Sequence, residues 1–213
     1  AITLTRSTVP GGFEVQVSSG EGRTSSYRAT TAAGIATRTR TDASGGISTT
    51  TGSTDGKVST TTLPDGTTVV ATVGSDPRWG DDAPRTLSTV STSPNGRIET
   101  SLFSRSAVLA DPDDLLSHTS ITDTSSVNGR VATSVYDATT RTGTSTSPGG
   151  VVSNQALDAK GHQTSAGRSG ADPFTFTHDA QGRVTAITQG DRTASVTFVA
   201  RGRRATETTP EGE

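Results

Sequence analysis

Short runs of alternating apolar and polar residues recur along the chain. Phe13, Val15 and Val17 alternate with Glu14 and Gln16, and the same period returns at 131–135 and 194–198. Successive side chains of a β-strand point to opposite faces. These runs therefore predict strands with one packed face and one face in water.

Turn signals separate the runs. They are Asp-Ala-Ser-Gly at 42–45, Thr-Asp-Gly at 54–56, Pro-Asp-Gly at 64–66, Pro-Asn-Gly at 94–96, Asn-Gly at 128–129, Pro-Gly-Gly at 148–150, Asp-Ala-Lys-Gly at 158–161, Asp-Ala-Gln-Gly at 179–182 and Pro-Glu-Gly at 210–212. Gly adopts positive φ without strain, and Asn or Asp tolerates it, so each signal is a hairpin candidate. We predict an all-β fold of tandem antiparallel β-hairpins that form a ribbon or solenoid-like sheet.

Two segments interrupt the hairpin pattern. Residues 73–86 contain two prolines and the one Trp of the chain, which predicts a surface loop after degenerate repeats at 1–72. Strands are expected at 87–125, with a short helix or an extended linker near 106–118, where Asp111 would be the N-cap and Pro112 the first helical residue. Residues 126–213 are expected to continue the same repeat array.

Composition predicts a thin core. Hydrophobic residues make up 28% of the chain, against roughly 45–50% apolar residues in an ordinary globular domain. The same composition occurs in disordered linkers, but the regular turns and the formal charge of -2 favour order. Stability would come mainly from ladder hydrogen bonds and from stacking between neighbouring repeats, so the isolated chain should be only marginally stable.

Several classes of function are excluded at this point. The chain has no Cys, hence no disulfide and no thiolate metal site. No apolar stretch approaches the roughly 20 residues of a membrane-spanning helix, and scattered charges without a basic patch argue against nucleic acid. The cluster Arg201, Arg203 and Arg204 is interpreted as a solvated strand face.

A start without Met and an end inside a turn signal lead us to expect an interior piece of a larger protein.

A longer motif stands out at His178-Asp179-Ala180-Gln181-Gly182-Arg183-Val184-Thr185, and its first two positions return at Tyr136-Asp137. These stretches resemble the YD-repeat family, also called Rhs repeats, whose unit is Tyr-Asp, two variable residues, Gly-Arg and a strand. Residues 157–162 look like a degenerate copy with Leu157 for Tyr and His162 for Arg. Residues 197–204 look like another copy, with Val-Ala in place of Tyr-Asp. The resemblance marks these structural motif residues: Tyr136, Asp137, Asp158, Gly161, Asp179, Gly182, Arg183, Gly202 and Arg203.

The resemblance implies a structural role. Repeats of this family build hollow β-shells in bacterial polymorphic toxins, in casing subunits of insecticidal toxin complexes and in the animal teneurins. We therefore expect a segment of a large secreted or cell-surface protein, part of a shell or stalk that encloses or displays another domain. Its partners would be neighbouring repeats of the same parent chain, with an enclosed toxin domain or a cell-surface partner beyond them. The family's C-terminal signature with self-cleaving acidic residues is not in this sequence.

Candidate chemistry is sparse. His118, His162 and His178 have no metal-site spacing, and His178 occupies the Tyr position of a repeat, which favours packing. No Gly-x-Ser-x-Gly elbow and no phosphate-binding loop occur. We expect no enzyme activity, no cofactor and no metal.

Acidic clusters are better explained by turns. Asp111, Asp113 and Asp114 lack the Gly turn and the distal Glu of a calcium loop. The Asp of each repeat is expected to accept backbone N–H bonds within its own turn. Arg97, Arg130 and Arg183, each directly after a turn Gly, are expected to lay their stems over the sheet with the charged head in water.

Two other functions are carried as alternatives. Trp79, with Asp81 and Asp82 nearby, could be the sugar platform of an extracellular adhesion or glycan-binding module. Exposed strand edges could instead pair from chain to chain and build an extracellular fibre.

Overall fold

The part of the chain that the structure describes consists of β-strands joined by turns and short irregular segments. The structure is a computed structural model that describes residues 1–53, 55–199 and 204–209, with the backbone alone at 204 and 205. These ranges contain 18 strands and no helix, and the strand pairs are antiparallel, which confirms the predicted all-β hairpin fold.

The strands are β1 Ile2–Val9, β2 Gly12–Ser19, β3 Thr24–Ala32, β4 Ile35–Thr41, β5 Ile47–Ser53, β6 Val58–Thr62, β7 Thr68–Asp76, β8 Gly80–Thr92, β9 Ile98–Leu109, β10 His118–Val127, β11 Arg130–Asp137, β12 Thr142–Thr146, β13 Val152–Leu157, β14 Gln163–Arg168, β15 Phe174–His178, β16 Val184–Gln189, β17 Arg192–Phe198 and β18 Arg204–Thr208.

Two compact units divide the chain. Unit 1 contains residues 1–104 and 126–129, and unit 2 contains residues 105–125 and the described residues from 130 onward. In unit 1, each strand from β1 to β8 pairs with the strand that follows it in sequence. Unit 2 repeats this order from β10 to β18. Each unit is thus a meander of consecutive hairpins.

Threonine fills the sheet surface in rows. One row runs across five strands of unit 1 through Thr39, Thr49, Thr62, Thr68 and Thr92, each opposite the next. Cross-strand Thr pairs combine methyl packing with hydroxyl hydrogen bonds. The abundance of Thr therefore supplies lateral contacts between strands in place of a thick apolar core.

No apolar side chain of the described residues is fully buried. Two polar residues, Asp76 and Ser101, are buried instead, at 6% and 8% exposure. Since a single sheet surface covered by Thr and Ala buries little apolar area, the backbone ladder is the main source of cohesion. The predicted thin core agrees with this arrangement.

The predicted surface loop at 73–86 is wrong. Strand β7 continues to Asp76, strand β8 begins at Gly80, and only Pro77–Trp79 lies between them. The register shifts between Gly74 and Asp76. Such bulges tolerate a proline inside a strand, so the irregular pairing accommodates Pro84 in β8.

Of the two alternatives predicted near 106–118, a short helix or an extended linker, the helix is wrong. Strand β9 continues to Leu109, and the residues that follow form turns up to His118. Asp111 Oδ1 accepts the amide of Asp113 at 3.0 Å, and Asp114 Oδ1 accepts that of Leu116 at 2.9 Å. Because these side chains satisfy nearby amides locally, they favour turns over a helix.

Candidate functional site

A five-residue turn recurs through both units. The amide of its first residue donates to the carbonyl of the fifth, and the amide of a Gly at position four donates to the carbonyl of the first. These turns occupy residues 19–23, 42–46, 63–67, 93–97, 147–151, 158–162 and 179–183. The fourth-position glycines have φ between 78° and 89°. This is the geometry of a hairpin loop closed by a glycine bulge.

Three of these turns begin with Asp and share one side-chain geometry. Oδ1 accepts the amides of the third and fifth residues, at 2.9 and 2.9 Å for Asp42, 2.8 and 2.9 Å for Asp158, and 3.0 and 3.0 Å for Asp179. The Asp-x-x-Gly pattern of the sequence therefore marks a carboxylate that satisfies two turn amides. The expected local role of these aspartates is confirmed.

Hydrogen bonds to the ionised form hold the pKa of each turn carboxylate below its usual value. The amide of His162 is the largest cause at Asp158, whose pKa is lowered to about 2. The side chain of Arg183 is the main cause of the lowered pKa of Asp179, and the hydroxyl of Ser44 that of Asp42. All three turns favour the charged carboxylate.

The turns at 158–162 and 179–183 also contact each other, and we call this pair the turn stack. His162 Nδ1 lies 3.0 Å from Asp158 Oδ2, and its ring stacks on His178 with 5.2 Å between centroids and 24° between planes. A Cβ placed on Gly182 would lie 2.4 Å from His162 Nε2. The ring of one turn therefore occupies the space that a side chain at Gly182 would need.

Arg183 repeats this arrangement in the next repeat along the chain. Its Nε donates to Asp179 Oδ2 at 2.7 Å, and its guanidinium lies 4.2 Å from the ring centre of Phe198. The expectation that the charged head of Arg183 lies in water is wrong, because the head is paired with Asp179 and stacked on an aromatic ring. In two successive repeats, the fifth turn residue bonds back to the Asp and covers the aromatic position of the next repeat.

The last copy of the motif is shifted by one residue from the predicted alignment. Phe198 pairs with Arg204 across a bulge, as His178 pairs with Val184. Phe198 therefore takes the Tyr position, and Val199 takes the Asp position. Gly202 and Arg203 lie outside the described residues.

The Tyr136-Asp137 copy has a different turn. Asp137 Oδ1 accepts the amides of Thr139 and Thr140 at 2.7 and 3.1 Å, and Arg141 adopts a φ of 55°. Tyr136 lies against His118, with 6.2 Å between ring centroids. This copy keeps an Asp that accepts two turn amides and keeps the aromatic contact, but the second amide is that of the fourth residue, and the turn closes without the bulge glycine.

No group of three or more His, Asp or Glu that could hold a metal occurs in the described part of the chain. Trp79 lies in the tight turn before β8, with the Arg78 guanidinium 5.4 Å from its ring centre, and Asp81 accepts a hydrogen bond from Ser75. No helix among residues 1–53, 55–199 and 204–209 is long and apolar enough to cross a membrane.

Sequence reasoning missed the pairs between arginines and aromatic rings in unit 1. Arg6 lies over Phe13 at 4.6 Å, and Arg40 lies over Tyr27 at 5.7 Å. The alternation within β3 and β4 contained the necessary signal, because it places Tyr27 and Arg40 on a defined face of each strand. The tight Ala33-Gly34 turn that sets their register went unrecognised.

Comparison with known proteins finds similarity only among solved structures, and that similarity is distant. No family model matches this chain, and no curated protein matches it. Among solved structures, the chain is similar to the crystal structure of TcdB2-TccC3, with 14% sequence identity and a TM-score of 0.32. The match covers 94% of this chain, which spans 14% of the length of the other. The fold assignment therefore rests on the strands and turns of this chain itself.

Proposed function

We propose that the chain is a structural β-repeat segment of a large secreted or cell-surface YD-repeat protein. In this role it contributes to a shell or stalk that encloses or displays another domain of the parent chain. The resemblance of the Asp-x-x-Gly-Arg motif to that family supports the proposal, and the meander of short antiparallel strands is consistent with it.

The contacts between successive repeats, in the turn stack and between Arg183 and Phe198, carry the proposal. Each fifth-position side chain, His162 or Arg183, is fixed by its own Asp and covers an aromatic position of the following repeat. In a repeat array, each repeat is stabilised by its contacts with the neighbouring repeats. Such an array extends a surface, which is what a wall or stalk requires.

The rest of the described chain agrees better with a wall than with a binding loop at Trp79. Residues 73–86 are mostly strand, and the turn that carries Trp79 is only three residues long. The indole is partly covered by Arg78. This geometry offers little of the protruding surface that the adhesion hypothesis assumed.

Protease protection of the intact parent protein tests the proposal. We expect a domain encoded elsewhere in the parent chain to resist protease, and to become sensitive when residues 147–189 are deleted from the wall. A parent protein whose other domains keep the same protease sensitivity after this deletion would contradict an enclosing role. Hydrolase activity that disappears on His162→Ala would contradict the structural role altogether.

A further inference from the structure

A cleft of about 420 Å³ lies on one face of strands β2 to β5 in unit 1. Phe13 and Tyr27 line it and remain 39% and 45% exposed, although they are among the largest apolar side chains of this unit. Arg38 and Arg40 line the same cleft. Exposed rings next to arginines form a surface that can bind a ligand both by packing and by charge.

The strand register fixes how these groups face the cleft. Tyr27 lies opposite Arg40, and Ala29 lies opposite both Phe13 and Arg38. Arg38 and Arg40 are two residues apart on one strand, so their side chains leave the same face about 6.6 to 6.8 Å apart. The cleft therefore presents two cations at the repeat distance of an extended chain, beside two aromatic rings.

The positive charge of the arginines is not neutralised by an acidic side chain within the cleft. No acidic residue lines it, and neither Arg38 nor Arg40 forms a salt bridge within the described ranges. Asp42 is close enough to Arg40 for the two charges to interact. Its carboxylate, however, accepts hydrogen bonds from Ser44 and Gly46 in its own turn. Arg28 also borders the cleft, but in the register it faces Glu14 on the other side of the sheet.

We propose that this cleft binds an extended peptide segment with acidic side chains at alternate positions. Alternate side chains of an extended peptide leave one face with the same spacing as Arg38 and Arg40, so one carboxylate can meet each guanidinium. An apolar side chain of the peptide then packs on the exposed parts of Tyr27 and Phe13, which lie on the neighbouring strands level with Arg40 and Arg38. The cleft volume lies within the range of small binding sites and suits a few side chains.

Fluorescence anisotropy with two synthetic peptides tests the spacing. One labelled peptide is Ser-Glu-Ser-Glu-Ser-Phe-Ser, and its isomer Ser-Ser-Glu-Glu-Ser-Phe-Ser has adjacent acids and the same composition. We expect the full chain to bind the alternating peptide more tightly than the isomer, and more weakly as salt is raised. Equal affinity for both peptides would overturn the proposal.

Variants locate the binding to the cleft. Arg38→Gln and Arg40→Gln should each weaken binding about tenfold, the effect of losing one charge-assisted hydrogen-bond pair. Arg97→Gln removes the same charge from an exposed turn of unit 1 outside the cleft and should leave binding unchanged. Arg40→Lys keeps the charge without the planar fork and should have an intermediate effect.

Two further readouts keep the result decisive. Tyr27→Leu retains an apolar side chain and should weaken binding, with an unchanged circular dichroism spectrum showing that the variant is folded. Loss of binding in Arg97→Gln equal to that in Arg40→Gln would show non-specific attraction and overturn the proposal. A thymidine oligonucleotide or polygalacturonate bound more tightly than the alternating peptide would also overturn it.

Discussion

The contact inside the turn stack can be measured with two glycine substitutions. Gly161 and Gly182 hold the same turn position, with φ of 85° and 78°. Ala at either position must adopt a left-handed conformation, which costs roughly 1–2 kcal/mol. An added Cβ at Gly161 meets no heavy atom within 4 Å, whereas at Gly182 it would lie 2.4 Å from His162 Nε2. Gly161→Ala is therefore a matched control that carries the backbone strain alone.

Gly182→Ala should destabilise the chain more than Gly161→Ala. The new methyl group must displace the His162 ring, which loses its stacking on His178. An aromatic pair contributes about 0.5–1.5 kcal/mol beyond the area it buries, and we expect the free energies of unfolding of the two variants to differ by that amount. Urea unfolding followed by circular dichroism measures both values.

A double-mutant cycle assigns the difference to the ring. With His162→Ala in the background, Gly182→Ala should cost no more than Gly161→Ala, because the space beside Gly182 is then empty. Equal costs of the two glycine substitutions in the unmodified chain would refute the reasoning. The same conclusion would follow if the excess cost persisted without the His162 ring.

Three further predictions concern a turn carboxylate, a pair of threonines and an ion pair. The pKa of Asp158 is lowered to about 2 from an ordinary value of 3.8. The ionised carboxylate therefore contributes its full stabilisation above pH 3.8, and this contribution is lost as the pH falls towards 2. Between these pH values, the free energy of unfolding of Asp158→Asn should fall less steeply with pH than that of the unmodified chain. The hydroxyls of Thr50 and Thr61 are 2.9 Å apart, so either Thr→Val substitution alone should cost about 1 kcal/mol and the double substitution less than the sum, as thermal unfolding would show. The two bonds from Arg105 to Asp123 measure 2.7 and 2.8 Å on partly exposed side chains, and a double-mutant cycle in urea should give a coupling energy of about 1 kcal/mol or less. A coupling energy of several kcal/mol would contradict the expectation that the partly exposed pair of Arg105 and Asp123 interacts weakly.

The turns were the part of the site most open to sequence reasoning. An Asp that bonds to amides two and four residues later, and a Gly that needs positive φ, act within five consecutive residues. No distant contact is needed for either effect. The motif at 179–183 could therefore be assigned a turn, a carboxylate role and a glycine requirement before the fold was known.

Contacts between repeats were not accessible in the same way. His162 meets His178, and Arg183 meets Phe198, across 15 or 16 residues of sequence. Each pairing depends on a bulge that shifts the register by one residue. A shift of one residue turns every side chain of a strand to the other face, so the alignment of the last repeat by sequence alone placed Val199 where Phe198 belongs.

The sequence by itself determined that this chain is a series of short antiparallel strands joined by tight turns, since strand alternation and turn chemistry are local. Only the tertiary structure decided that residues 73–86 are mostly strand, that the position-five side chains join successive repeats, and that Arg38, Arg40 and Tyr27 share a cleft. The physical reason is that these features depend on register. Register is set by bulges and hairpin turns that couple each strand to its neighbour.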